Sequence, residues 1–93
     1  MADVPFSQRV SAAENVLINV LDGEAVLLNL DNETYYGLDE VGARMWQVLM
    51  ESDSIQSAYE ALLDEYDVEP ETLRADMRDL IARLVEQGLA ELS

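Results

Sequence analysis

The sequence predicts an α+β domain in which a three-stranded antiparallel meander is followed by three helices. Three observations carry that expectation. Aliphatic and β-branched runs alternate with turn residues through the first third of the chain; apolar spacing changes to threes and fours after Asp39; and Pro70 and Gly88 stand where a last helix would start and stop. The expected order is β-β-β-α-α-α, one domain over residues 1–93 with residues 1–13 as an N-terminal arm.

Residues Met1 to Ala13 have mixed polarity and no strong period, and Val4, Phe6 and Val10 are the residues that would pack an arm onto the core. Val16 to Leu21 favours a strand, and Asp22-Gly23 is a turn dipeptide able to supply positive φ. A second strand follows from Glu24 to Leu30, then a turn at Asp31-Asn32-Glu33 and a short third strand from Thr34 to Gly37. Asp39 is suited to cap a helix whose apolar residues are Val41, Met45, Trp46, Val48 and Leu49. Asp53 with Gln56 resembles a capping box for a second helix that carries Ile55, Ala58, Leu62 and Leu63 on one face, flanked by Tyr59 and Tyr66. Pro70 fits the first position of the third helix, with Val68 placed to staple onto Leu73 and a stripe of Leu73, Met77, Leu80, Ile81 and Leu84.

A chain of 93 residues, half of them apolar, has enough material for one modest core. Cysteine and histidine are both absent, which removes disulfides, thiolate nucleophiles, the usual transition-metal ligands and the commonest general base. Among 20 acidic residues some fall close together by chance, so no carboxylate pair is nominated for catalysis. Neither an enzyme activity nor a cofactor or metal is expected. No apolar run is long enough to span a membrane, and the opening residues lack a basic segment followed by an apolar one. The expectation is a soluble, cytoplasmic protein.

The net charge is −15, and the basic residues are five arginines, Arg9, Arg44, Arg74, Arg78 and Arg83. A field of that sign repels phosphate backbones and anionic lipid, whose binding needs cations to displace counterions, so neither nucleic acid nor membrane is an expected partner. The field favours solubility, with steering toward a partner with basic segments as the alternative. A winged-helix DNA binder would need a basic face, whereas the second helix has no lysine or arginine. Asp53-Ser54-Ile55 has the look of the serine attachment site of acyl carrier proteins, but those are all-helical, and Asp-Ser is an ordinary helix cap.

A meander leaves its first and third strands as edges, and an open edge must be covered, charged or used. On the third strand Tyr35 and Tyr36 point to opposite faces; Tyr36 shares its face with Leu38 and is expected to turn inward. A last helix beside this edge would form a groove in which an extended peptide adds as a fourth strand. The same edge offers two copies of the chain a way to pair, so the expected state is a monomer or an edge-paired dimer.

The segments Leu21 to Leu30 and Thr34-Tyr35-Tyr36-Gly37-Leu38-Asp39-Glu40-Val41-Gly42-Ala43-Arg44-Met45-Trp46, with Asp76 to Leu84 and Gly88-Leu89, resemble the PqqD-like family of peptide-recognition elements. The resemblance runs from about Val10 to Leu92. It implies a small winged helix-turn-helix that binds the leader segment of a ribosomally made precursor peptide and presents it to a separate maturation enzyme. Within the family the block Tyr35 to Ala43 is similar to members serving lasso peptide biosynthesis, where the enzyme is a leader peptidase of the cysteine-protease type. The alternative is delivery to a radical S-adenosylmethionine enzyme. Leader contact is implied at Glu33, Thr34, Tyr35, Tyr36 and Gly37 on the strand, and at a subset of Leu73, Asp76, Met77, Leu80, Arg83 and Leu84 on the third helix.

Other roles compete for these residues. Tyr36, Leu38 and Trp46 are expected in the core, and Tyr35 is open between packing and leader contact. The apolar residues of the third helix cannot all line a groove, because that helix must bury a face to stay attached. Arg74 and Arg78 are expected to pair with Glu71 and other surface acids, with acidic leader residues as the alternative, and Gly42 to allow close approach of the sheet.

Overall fold

The computed structural model describes residues 4–93; Met1, Ala2 and Asp3, the first residues of the expected arm, lie outside them. Eight elements follow one another: β1 (Val10–Ala12), β2 (Val16–Leu21), β3 (Glu24–Asn29), β4 (Thr34–Leu38), α1 (Glu40–Glu51), α2 (Ile55–Glu65), α3 (Pro70–Glu86) and β5 (Ala90–Leu92). The expected meander is β2-β3-β4, antiparallel throughout, with β2 and β4 as its edges. Its first turn has Asp22 at φ 55° and Gly23 at φ 83°, the paired left-handed residues that match the twist of a two-residue hairpin. The register sets Leu27 opposite Ile18 on one side and Tyr36 on the other, so Ala25, Leu27, Tyr36 and Leu38 share the face that meets the helices.

The helices begin where local chemistry stops the preceding strand or turn. The Asp39 carboxylate accepts from the Gly42 N–H at 2.8 Å, satisfying one free donor of α1. A Cβ at Gly42 would sit 3.3 Å from that carboxylate and from Leu38, so its lack of a side chain accommodates the cap and the residue before it. α2 corrects the expected capping box: its cap is Ser54, whose hydroxyl accepts from Ser57 N–H at 3.1 Å, and Asp53 is exposed. With Ser54 turned to the helix end and strands filling the first third, the acyl-carrier alternative loses its fold as well as its serine. α3 starts at Pro70 with no side-chain cap, and its last turn gives way at Gly88, whose φ is 74°. Val68 remains exposed.

Two elements were not expected. β1 and β5 form a separate antiparallel ribbon, with Val10 opposite Leu92, and Arg9 and Ser93 exchange main-chain bonds of 2.8 and 2.9 Å beyond it. The arm ahead of β1 is built into the fold. Its Val4 and Phe6 are buried, as is Val10 in β1, and the carbonyls of Gln8 and Phe6 accept at 2.8 Å from Ile55 and Gln56 respectively, the first two N–H groups of α2. Arg74 lies over the Phe6 ring at 4.3 Å and near Tyr59, which meets Phe6 edge-on; this stacking replaces the expected surface pairing with Glu71.

The core lies between the helix-facing side of the meander and the three helices. Leu27, Leu49, Ile55, Leu62, Met77, Ile81, Leu84 and Leu89 are fully buried at its centre, and Leu38 and Trp46 join them. No helix among the described residues is long and apolar enough to cross a membrane.

Candidate functional site

Every buried side-chain polar atom among the described residues has a hydrogen-bond partner, so no orphaned interior group calls for a ligand. The binding features are on the surface. Among the described residues, β4 pairs with β3 on one side and with no strand on the other. In an antiparallel strand alternate residues turn their N–H and C=O groups outward, so this edge is a main-chain template. Tyr35 stands 73% exposed on the outer face, and a Cβ at Gly37 would meet nothing within 4 Å. Thr34 and Tyr36 are half-buried, and Glu33, at φ 59°, turns the chain into the strand.

α3 supplies the facing wall. The Arg83 guanidinium lies near the phenol of Tyr36, a neighbour that raises the already high pKa of Arg83. That contact brings the third helix beside the edge strand, as the groove requires. It also sorts the helix residues. Leu73, Met77, Ile81 and Leu84 form a stripe that is buried in the core, with Met77 and Leu84 at 0% exposure. Of the six α3 residues from which a groove subset was expected, Leu73, Met77 and Leu84 are buried with the core, because a 17-residue helix against a small domain holds on by its most apolar stripe. Asp76, Leu80 and Arg83 fall at i, i+4 and i+7 on the adjoining stripe, where Leu80 is half-buried and the two charged residues are exposed.

A buried asparagine fixes the distance between the two walls. Asn29, at the end of β3, donates from Nδ2 to the Gly88 carbonyl at 2.7 Å and accepts on Oδ1 from Asp31 N–H at 2.8 Å. One side chain thus joins the turn before β4 to the end of α3. Its sequence position, inside an apolar run, gave no sign of this. Asn29→Leu is expected to destabilise the domain by about 2 kcal/mol, because a partly buried carbonyl and a turn N–H lose their partner together. Urea denaturation measures it, and a change below about 0.5 kcal/mol would refute the role.

The opposite edge carries a second concavity, of about 660 Å³, between β2 and α1. Apolar residues line much of it, including Ile18, Val20, Trp46 and Met50, with Glu40 and Glu51 also in its wall. Arg44, at the same place, is engaged by Glu65 of α2 through contacts of 2.6 to 3.0 Å, which hold the Glu65 carboxyl below its ordinary pKa. The composition of β2 suggested a strand but not that Leu17, Ile18, Val20 and Leu21 would all remain exposed.

An antiparallel meander with an open edge, followed by three helices, makes a small α+β domain of the winged helix-turn-helix kind. The family described as Coenzyme PQQ synthesis protein D (PqqD) matches residues 24–90, and the chain belongs to that family. Two solved structures are similar to it over nearly their whole length. One, described as TbiB1 in complex with the TbiA(beta) leader peptide, is 36% identical, with 89% of this chain and 94% of that one covered and a TM-score of 0.78. The other, lasso peptide synthetase B1 complexed with the leader peptide, is 25% identical, with 89% and 98% covered and a TM-score of 0.79. Among curated proteins no sequence matches the chain.

Proposed function

We propose that this protein captures the leader segment of a ribosomally synthesised precursor peptide by strand addition to β4 and presents it to a separate maturation enzyme. The observation that carries the reading is the unpaired β4 edge standing beside α3, in a member of a family with two similar structures described as complexes with leader peptides. Main-chain bonds to residues Glu33 to Gly37 set the orientation and register of the leader. Tyr35 and Tyr36 with Asp76, Leu80 and Arg83 give selectivity by taking leader side chains between strand and helix. The buried Leu73, Met77 and Leu84 hold the wall in place and do not touch the peptide.

The likeness to the structure described as lasso peptide synthetase B1 favours lasso peptide biosynthesis, with a cysteine-protease-type leader peptidase receiving the leader in the cytoplasm. The family description leaves a second reading, delivery to a radical S-adenosylmethionine enzyme as in coenzyme PQQ synthesis. In either case the bond-making chemistry belongs to the partner, and this chain needs no cofactor. An edge-paired dimer would occupy the same strand and compete with the leader.

Titration of ¹⁵N-labelled protein with the leader of the precursor encoded beside it is expected to give saturable amide shifts concentrated in residues 33–37 and around Asp76, Leu80 and Arg83. Tyr35→Ala and Arg83→Ala are expected to weaken binding by about tenfold each, equivalent to about 1.4 kcal/mol, with melting temperature unchanged within about 2 °C. Shifts confined to other elements, or none, would refute the reading.

A further inference from the structure

We propose that Gly37 is the floor of a side-chain subsite on the outer face of β4, and that this subsite takes an aromatic residue of the leader. The proposal rests on the leader-capture reading and names a side chain that the strand selects.

The chain has four glycines, and three have a local reason to lack a side chain. Gly23 and Gly88 have positive φ, and Gly42 sits against the Asp39 cap. Gly37 has neither reason. Its φ lies outside the left-handed region, so its backbone is that of an ordinary strand residue, and a Cβ there would meet no atom of the described residues within 4 Å. Glycine inside a strand costs stability, because it adds backbone entropy to the unfolded chain and packs against nothing. Neither the backbone nor the packing calls for glycine here. What a bare main chain does supply is room for a ligand to approach closely.

The register places that room. On the outer face of the sheet, away from the helices, Leu17 of β2, Leu28 of β3 and Tyr35 of β4 stand in one row, and Asn19, Val26 and Gly37 stand in the next. The first row ends at the open edge in an exposed tyrosine, and the second ends there in a gap. Exposed Val26 backs the gap, and exposed Tyr35 stands beside it. On a strand added to β4, the residue opposite Gly37 projects to this same face. Directly opposed side chains begin about 5 Å apart, and diagonal neighbours at about 7–8 Å remain within reach of an aromatic ring. A ring at that position therefore covers the glycine and reaches both Tyr35 and Val26.

The shape of the gap selects the chemistry of its occupant. It is shallow, with no side chain at its floor, so a flat ring laid over the main chain fills it where a branched aliphatic group would stand clear; aromatic side chains cover edge glycines of sheets in this way. Tyr35 adds a partner for an edge-to-face or offset ring contact. The subsite is separate from the groove between β4 and α3. Leader residues alternate along an added strand, so those that face α3 and the one that faces Gly37 lie on opposite sides of the sheet.

The experiment uses the full chain and the leader of the precursor encoded beside it, with affinities measured by calorimetry. Gly37→Val fills the gap with a residue that favours strands, and leaders carrying alanine at one residue at a time supply the second half of a double-mutant cycle. Gly37→Val is expected to weaken binding of the unaltered leader about tenfold, with a melting temperature unchanged or raised. Replacing one aromatic leader residue by alanine is expected to cost about tenfold against the wild type and less than about twofold against Gly37→Val. In the wild-type complex that ring is expected to move the Gly37 α-proton resonances upfield and to show nuclear Overhauser contacts with them, a readout that does not depend on how the variant folds. The subsite is overturned, and leader capture stands, if Gly37→Val binds the leader as the wild type does, if its loss is the same for every alanine leader, if the coupled residue is aliphatic or basic, or if the Gly37 α-protons contact no ring. Failure of the wild type to bind the leader at all overturns the functional reading, and the subsite with it.

Discussion

Met77→Ala is expected to lower the stability of the domain by about 3 kcal/mol and its melting temperature by roughly 12–24 °C, while the fraction that remains folded binds leader with affinity unchanged within about twofold. Met77 is fully buried at the centre of the α3 stripe that holds the helix on the core. Removing its side chain leaves a cavity that packed neighbours fill only in part, and the cost is the lost transfer energy plus the void. The measurement is a pair, thermal unfolding by circular dichroism and leader affinity by calorimetry below the transition. A variant with near-normal stability and a large loss of affinity would mean that the peptide reaches this stripe, and the division of α3 into a core stripe and a groove stripe would be wrong.

A leader N-methylated at two alternate residues whose N–H groups face β4 is expected to bind about 100-fold more weakly than the unmodified peptide. Two main-chain hydrogen bonds at about 1–1.5 kcal/mol each account for that loss. The same modification on the intervening residues, whose N–H groups point away from β4, is expected to change affinity by less than about threefold. This odd–even contrast belongs to strand addition and to no mode of binding that reads side chains alone. Equal losses from both peptides would dismiss β4 as the template, whatever side chains the groove engages.

What the sequence made legible is what a few adjacent residues decide. Asp22-Gly23 folds the first hairpin, Asp39 caps α1, and Pro70 opens α3, each by chemistry within four residues of itself. The inward turn of Tyr36 and outward turn of Tyr35 follow from strand alternation and hold in the structure. The β1–β5 ribbon was not legible, since three-residue strands are too short to show a period and their partners lie at opposite ends of the chain. Ser54 and Asp53 both have capping chemistry and look equivalent in the sequence until the backbone fixes which one precedes the helix.

The site was legible in part for the same reason. The β4 edge is a local fact, whereas the role of each α3 residue depends on how the helix is rotated against the sheet. Amphipathic spacing selects the apolar side of a helix but does not say where core ends and groove begins. Leu80 sits at that boundary, between buried Met77 and Ile81 and exposed Arg83. The β2–α1 groove was hidden differently. Val16 to Leu21 reads as an ordinary strand, and only tertiary structure reveals that nothing covers it.

The bonds between Arg9 and Ser93 close the polypeptide into a ring whose seam is the β1–β5 ribbon. Mechanically, that seam is the weak direction of the molecule. The chain enters β1 and leaves β5 side by side, so tension applied across the two ends peels the strands apart from Val10 and Leu92 inward, and each ribbon bond bears the load alone in its turn. Shear resistance, in which a row of bonds must fail together, is absent there. A pulling machine acting across the ends would release β5 at little force, whereas the arm ahead of β1 is held by buried Val4 and Phe6 and by its bonds to the start of α2.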